Sequence, residues 1–303
     1  MNLPYVAVIV LNWNKPADTL ACLRSVAALD YPAERLQLIV VDNGSTDDSV
    51  ACIHAAYPDV ALIETGANLG YAGGNNVGIR YALAHGADFT CILNNDVIVE
   101  PGFLEPLVAV AAECGGQRVV TPMICEMGRP DRIWALGGGL NWRSGSPTRL
   151  QAGEPREDWL TRAPYEVDFA PGTAFLAPRT AWETVGLMDE AFFLYFEETD
   201  WCVRARRMGF TMIAVPASCV WHEVEAASGR RSPQVTYYMT RNVLRFLQRN
   251  LPLRRRLGPM VRVLLLAHLQ ALSDVRHGET QRARARLRGV YDYLVGRFGP
   301  LRR

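Results

Sequence analysis

Four short apolar runs punctuate the first hundred residues, and a stretch with helical spacing follows each one. "YVAVIVL", "LQLIVVD", "VALIET" and "FTCILN" read as strands. "KPADTLACLRSVAAL", "STDDSVACIHAA", "AGGNNVGIRYALAHG" and "GFLEPLVAVAAECGG" read as helices, because their apolar positions recur at three- and four-residue steps. Leu20, Leu23, Val26 and Ala27 set the apolar face of the first helix. Ser45 or Thr46 is the expected cap of the second, and Gly86 closes the third. Strands without polar alternation are buried on both faces, so the pattern predicts an α/β fold: a mostly parallel, doubly wound sheet flanked by helices.

The rhythm changes after Gly115. "RIWALGGGLNWRSGSP" reads as a strand and a glycine-rich loop, and "YEVDFAPGTAFLAP" as two extended pieces around Pro171 and Gly172. "RTAWETVG" and "EETDWCVRARRMG" read as short helices ended by Gly186 and Gly209. "FTMIAVP" and "SCVWHEV" are extended, "EAASGRRSPQ" is a polar loop, and "VTYYMTRNVLRFLQRN" is helical. Two further helix-like stretches make a tail. In the last of them Leu287, Val290, Tyr291, Leu294, Val295 and Phe298 share one stripe. No internal repeat and no obvious linker cuts the chain.

In a doubly wound sheet, ligands bind beyond the carboxyl ends of the strands. There the first strand ends in Asn12, Trp13 and Asn14, the second in Asp42, Asn43 and Gly44, and the fourth in Asn94, Asn95 and Asp96. Each is an ordinary turn composition taken alone; three on one edge point to a site. Asp42 has two readings: a carboxylate accepting the N3–H of a uracil or thymine ring, or a cap on the following helix, whose positive end Asp47 and Asp48 also favour. A G-x-G-x-x-G fingerprint is absent from the first βα turn, which weighs against a nicotinamide or flavin cofactor. Between Asn68 and Gly78, Gly73 and Gly74, with Asn75 beside them, either let backbone approach a ligand or simply make a tight turn.

Acids crowd the first turn of "FEETDWCVRARRMG" and arginines the last, as the helix dipole favours. Asp200 precedes Arg204 by four residues, the spacing of a surface ion pair. Glu198 instead shares a stripe with Trp201 and Ala205. A carboxylate aimed at the packed side is costly unless used, which makes Glu198 the candidate general base. His222, at the end of an apolar strand, is either a satisfied core residue or, if Asp96 lies beside it, a metal ligand.

Composition narrows the setting. The chain has 303 residues, enough for one large domain or two small ones. Its seven cysteines are scattered, with no C-x-x-C pair, which argues against a disulfide framework or a zinc site and for a reducing cytoplasm. The N-terminal apolar run lacks a basic n-region and reads as a strand rather than a signal peptide. No stretch is long enough to span a bilayer. The net charge of +1 conceals an asymmetry: from Leu251 onward twelve arginines face three acids, +9 for the tail and −8 for the first 250 residues. Such a tail calls for an oppositely charged partner or surface; no nucleic-acid partner is expected. Two readings of it stay open: its stripes pack on the catalytic body or on a second subunit as a homodimer, or they attach peripherally to the inner face of an anionic membrane.

"VVDNGSTDDS", "NLGYAGGNNVGIRYA", "CILNNDVIVEPGFL", "GLMDEAFFLYFEETDWCVRARRMGF", "VWHEV" and "YYMTRN", in this order, resemble the family 2 glycosyltransferases, most of all the bacterial rhamnosyltransferase-like branch, over roughly residues 5 to 250. The resemblance implies a GT-A fold, a nucleotide-diphosphate sugar donor (dTDP or UDP), a divalent metal (manganese or magnesium) and inversion at the anomeric carbon. It implies a glycan or lipid-linked acceptor in cell-surface polysaccharide synthesis. It assigns Asp42 to base binding, Asn94 and Asp96 to the D-x-D metal motif, His222 to the metal and Glu198 to the catalytic base. Asn12, Gly44, Gly73, Asn75 and Asn95 are expected around the nucleotide. Glu197, Asp200 and Gly172 are expected near the acceptor or just behind the site, and the polar loop after His222 reads either as a lid that closes over the diphosphate through Arg230 or Arg231 or as an idle surface loop. Two positions depart from the family pattern: the first D-x-D position is Asn94, and the acid pair is Glu–Glu. On this reading residues 1–250 are the catalytic domain, with a nucleotide-binding half (1–115) and an acceptor half (116–250), and 251–303 a basic amphipathic tail. The alternatives are a nucleotidyltransferase, for which only Lys15 is available near the first strand, and a non-catalytic binding module.

Overall fold

The computed structural model describes residues 3–224 and 232–301. The first half alternates as its apolar runs predict: β1 (Val6–Asn12), α1 (Pro16–Ala27), β2 (Leu36–Asp42), α2 (Ser49–Ala56), β3 (Ala61–Glu64), α3 (Gly70–Ala84) and β4 (Phe89–Asn94). Then come β5 (Val97–Val99), α4 (Leu104–Ala112), β6 (Arg118–Glu126), β7 (Arg129–Ala135), β8 (Gly138–Asn141), β9 (Ser146–Arg149), β10 (Tyr165–Val167), β11 (Ala174–Pro178), α5 (Arg179–Val185), α6 (Glu197–Arg207) and β12 (Thr211–His222). Three helices follow: α7 (Pro233–Asn250), α8 (Leu253–Arg276) and α9 (Thr280–Leu294).

The main sheet runs β10-β12-β6-β11-β4-β1-β2-β3. Its β3-β2-β1-β4 portion is parallel, as is the β6–β12 pair. β11 is antiparallel to both β4 and β6, so the mostly parallel sheet is mixed where the second half of the chain joins the first. β1 shows why its sequence has no polar alternation. Ala7 and Ile9 join one core with Ile79 and Ala82 of α3, while Val6, Val8 and Val10 join another with Cys22, Leu23 and Val26 of α1.

Local expectations need four corrections. α2 starts at Ser49, and Asp47, not Ser45 or Thr46, accepts hydrogen bonds at its start; Ser45 is held instead by Asp42, Asn12 and Asn14. "FTMIAVP" and "SCVWHEV" belong to one strand, β12, with a register shift between Val215 and Cys219. The glycine-rich loop after β7 contains the β8–β9 hairpin. The close approach allowed by Gly73 and Gly74 is to Leu69 and Leu11: an added Cβ would lie 2.7 and 2.4 Å from their side chains. These glycines let α3 pack tightly within the protein.

The tail packs on the body. Val290 and Tyr293 of α9 and Ala267 of α8 share a cluster with Leu244, Phe246 and Leu247 of α7 and with Phe192 and Phe196. The stripe read from the sequence is therefore divided: Val290 is buried and Phe298 packs against the cluster, while Leu287, Tyr291, Leu294 and Val295 stay exposed.

Candidate active site

Polar residues at the strand tips of β1 and β2 bind one another. The Asn12 amide donates to Asp42 Oδ1 at 2.7 Å, Ser45 N–H donates to Asp42 Oδ2 at 3.0 Å, and Thr19 Oγ1 donates to Asn12 Oδ1 at 2.6 Å. Asn95 continues the chain by donating to Thr19 Oγ1. Asn12 and Asp42 are buried, so the two strand tips are locked by a satisfied network. Gly44 has φ +73° and would carry a Cβ 2.5 Å from the Ala67 backbone; the turn after β2 can hold only glycine here. Asn75 is fully buried, with its amide donating to Tyr71 O and its Oδ1 left without a partner.

Sheet register brings Asp96 and His222 together. β5 pairs antiparallel with β12 so that His222 faces Val97, and Glu223 N–H donates to Asp96 O. Asp96 Oδ1 and His222 Nε2 then lie 3.3 Å apart. Asp96 Oδ1 and His222 Nδ1 are both buried without a hydrogen-bond partner. The nitrogen that faces Asp96 Oδ1 is Nε2, and this oxygen and nitrogen together, one of them an orphaned buried carboxylate oxygen, fit a divalent cation. Among the described residues no group of three or more histidine, cysteine, aspartate or glutamate side chains could hold a metal. The pair would thus supply two ligands, a set suited to an ion shared with phosphates.

The acid pair opens α6. Glu197 is sealed, 3% exposed with Oε2 unpartnered, whereas Glu198 is half-buried. Sequence spacing had placed Glu198 on the packed side; it stands at the rim, one turn before the buried Trp201. Burial, and then the charge of Glu198, push the Glu197 carboxyl well up. Burial also raises Glu198, offset in part by hydrogen bonds from Thr199 and from Gly172 N–H. The Gly172 carbonyl accepts the Tyr71 hydroxyl, while Thr173 O accepts Asn94 N–H at 3.0 Å. The 172–173 segment therefore ties the tip of β4 to Glu198. Tyr71 is kept a neutral phenol by burial and by the nearby charges of Glu198, Glu197 and Asp96.

The chain reaches α6 through strain. Phe193, Tyr195 and Phe196 have φ of 65°, 70° and 77°, a region costly for residues with a Cβ. Asn242 of α7, fully buried, donates its amide to the carbonyls of Phe192, Leu194 and Tyr195. Buried Arg241 donates to Phe192 O at 2.8 Å. Tyr71, Arg241 and Asn242 were not among the sequence's candidates. The available signal was a polar pair on an otherwise apolar stripe running through Tyr237, Leu244 and Leu247.

Asp200 is not a surface ion-pair partner. It is fully buried, held by Arg204 at 3.0 Å, Arg249 at 3.3 Å and Asn250 at 2.7 Å, and anchors α6 to the end of α7. Arg230 and Arg231, with most of the anticipated lid, lie outside the described residues. An open cleft of about 640 Å³ beside α2 and β3, lined by Asp47, Asp48, His54 and Glu64 among others, contains none of the candidate residues.

Three comparisons bear on this site. The profile of "Glycosyltransferase like family 2" matches residues 4–243. The N-acetylglucosaminyl-diphospho-decaprenol L-rhamnosyltransferase of Mycobacterium tuberculosis is 30% identical over 224 residues, 68% of this chain and 73% of that protein. Among solved structures, the mannosyltransferase PcManGT of Pyrobaculum calidifontis, in complex with GDP-Man and Mn2+, superposes with TM-score 0.59 at 16% identity, covering 97% of this chain and 88% of that one. GalNAc-T7 with UDP, GalNAc and Mn2+ gives TM-score 0.63 at 17% identity, over 74% of this chain and 44% of that protein.

Proposed function

This chain belongs to the family 2 glycosyltransferases and has their GT-A fold, and from that premise we propose an inverting, metal-dependent transfer of rhamnose or another hexose from a nucleoside diphosphate. The donor is a dTDP- or UDP-sugar and the acceptor a glycan or lipid-linked glycan of the cell surface, reached from the cytoplasm. One observation carries the reading: a rim carboxylate, Glu198, is bonded to the same short segment that holds the β4 tip, just before the Asp96–His222 pair. The relative's own name joins L-rhamnose transfer to a diphospho-decaprenol acceptor, which supports the donor and acceptor classes.

Asp96 and His222 would hold the cation, with Asn94 contributing weakly or through water; the bound cation supplies positive charge against the diphosphate leaving group. Manganese suits the mixed oxygen and nitrogen set at least as well as magnesium. Glu198 Oε takes the proton of the attacking acceptor hydroxyl. Attack from the face opposite the leaving group inverts the anomeric carbon. Glu197, sealed behind it, has its carboxyl pushed well up by burial and by the charge of Glu198, which disfavours two adjacent negative charges in the site. Asp42 retains carboxylate lone pairs beyond those used by Asn12 and Ser45, and these accept the pyrimidine N3–H.

The test is a panel of nucleotide sugars with manganese or magnesium, read by thermal shift and by nucleoside diphosphate release. A dTDP- or UDP-sugar should stabilise the protein only with metal, and EDTA should abolish turnover. Full, EDTA-sensitive activity in Asp96→Ala would overturn the metal assignment.

A further inference from the structure

α8 has two apolar faces, and the fold covers only one. Ala267 and Ala271 point inward, and Met260, Val263 and Leu264 pack partly against the cluster shared with α7 and α9. Leu257, Val261, Leu265, Leu269, Leu272 and Val275 point outward, each between 54% and 62% exposed. They recur at steps of four and three residues, so they form one continuous stripe, about 27 Å long at 1.5 Å per residue. An exposed apolar patch of this extent marks an interaction surface.

The charge around the stripe selects its occupant. Arg254, Arg255, Arg262 and Arg276 are exposed along α8, and among the described residues none has an acidic partner. The single carboxylate of α8, Asp274, is buried and held by Arg282 and Arg286 at 3.4 and 3.0 Å. The outward face therefore offers leucine, valine and guanidinium, with no exposed acid. A second copy docking on it symmetrically would set arginines against arginines, because the same patch meets itself across a two-fold axis. A lipid surface with anionic headgroups accepts both components: acyl chains cover the apolar stripe and headgroups pair the arginines. No helix among the described residues is long and apolar enough to cross a membrane, so the stripe suits a helix lying in the interface. We infer that the outward face of α8 is the surface by which this protein docks on an anionic lipid bilayer. The inference deepens the lipid-linked acceptor reading by naming the surface on which that acceptor is met. The helix named is α8 rather than α9, whose stripe the fold divides.

The experiment is co-sedimentation of the full chain with phosphatidylcholine vesicles containing phosphatidylglycerol, against pure phosphatidylcholine vesicles, with no donor or metal present. The protein should sediment with the anionic vesicles at low salt. Leu265→Glu/Leu269→Glu should weaken partitioning roughly a hundredfold. Arg254→Gln/Arg255→Gln should weaken it roughly fivefold per arginine. Both variants alter exposed positions and should keep the wild-type melting temperature. A folded wild type that stays in the supernatant would overturn the proposal. So would vesicle binding that the two leucine changes leave intact, or a dimer without vesicle binding that these changes dissociate. Vesicle binding is read without turnover, so failure of the transfer reading leaves this result unaffected, and the converse also holds.

Discussion

The segment that launches α6 is held in a left-handed backbone by one buried amide, and Asn242→Ala tests what that grip is for. The substitution removes the donor from the carbonyls of Leu194 and Tyr195 and the acceptor from buried Arg241 Nε, while Phe192 O keeps Arg241 and the N–H of Leu194. An orphaned buried carbonyl costs about 1–3 kcal/mol. Leu194 and Tyr195 are half-buried, so water can reach part of the gap; the low end for the two carbonyls and for the orphaned Arg241 Nε gives ~3 kcal/mol in total. That corresponds to a fall in melting temperature of about 6 °C. The larger effect should be on turnover. Phe193, Tyr195 and Phe196 store strain of about 1–3 kcal/mol each, which relaxes once the amide is gone. Glu198 begins two residues later, and a shift of about 1 Å costs on the order of a hundredfold. The assay is nucleoside diphosphate release under saturating donor, normalised to folded protein, beside Phe103→Leu as a core change of comparable instability far from α6. If Asn242→Ala loses stability but keeps turnover per folded molecule, the amide merely supports the fold and the positioning argument fails.

Glu198→Gln should retain donor binding and lose roughly a hundredfold or more in turnover; comparable loss in Glu197→Gln with Glu198→Gln still active would transfer the role of base. In the wild type kcat/KM should rise with pH along an acid limb above the ordinary carboxyl value of 4.5, because burial raises Glu198; a limb at or below that value would contradict the site's electrostatics. For Glu197, a folded pKa above the unfolded 4.5 means that its stabilising share is whole below pH 4.5 and is lost as pH rises through the folded value. Melting curves of Glu197→Gln against wild type should therefore show a gain that grows from pH 4.5 toward neutrality, and a pH-independent difference would refute this. Tyr71→Phe frees the Gly172 carbonyl and loosens the N–H that Gly172 gives to Glu198. It should lower kcat about tenfold, the loss of about 1.4 kcal/mol for a hydrogen bond, leave donor KM unchanged and move the acid limb upward; an unmoved pH profile would reduce Tyr71 to a packing residue.

Local periodicity and burial on two faces can be read along the chain without its fold. β1, β2 and β4 are legible because a strand covered by helices on both sides has no polar alternation, and the polar tips at Asn12, Asp42 and Asn94–Asp96 stand out where that cover stops. Family resemblance added roles for Asp96, His222 and Glu198. Tertiary structure decided the rest, because the deciding contacts join residues far apart in the chain. The antiparallel course of β11, the meeting of Asp96 with His222, and the tie from Tyr71 through Gly172 to Glu198 each depend on sheet register or on a loop closing over 26 residues or more. Spacing placed Glu198 and Trp201 on one face of α6, but only packing shows Glu197 sealed and Glu198 at the rim. The same limit applies to α8. Its sequence is apolar around most of its circumference, and periodicity cannot say which side the protein covers, since that depends on where α7 and α9 lie.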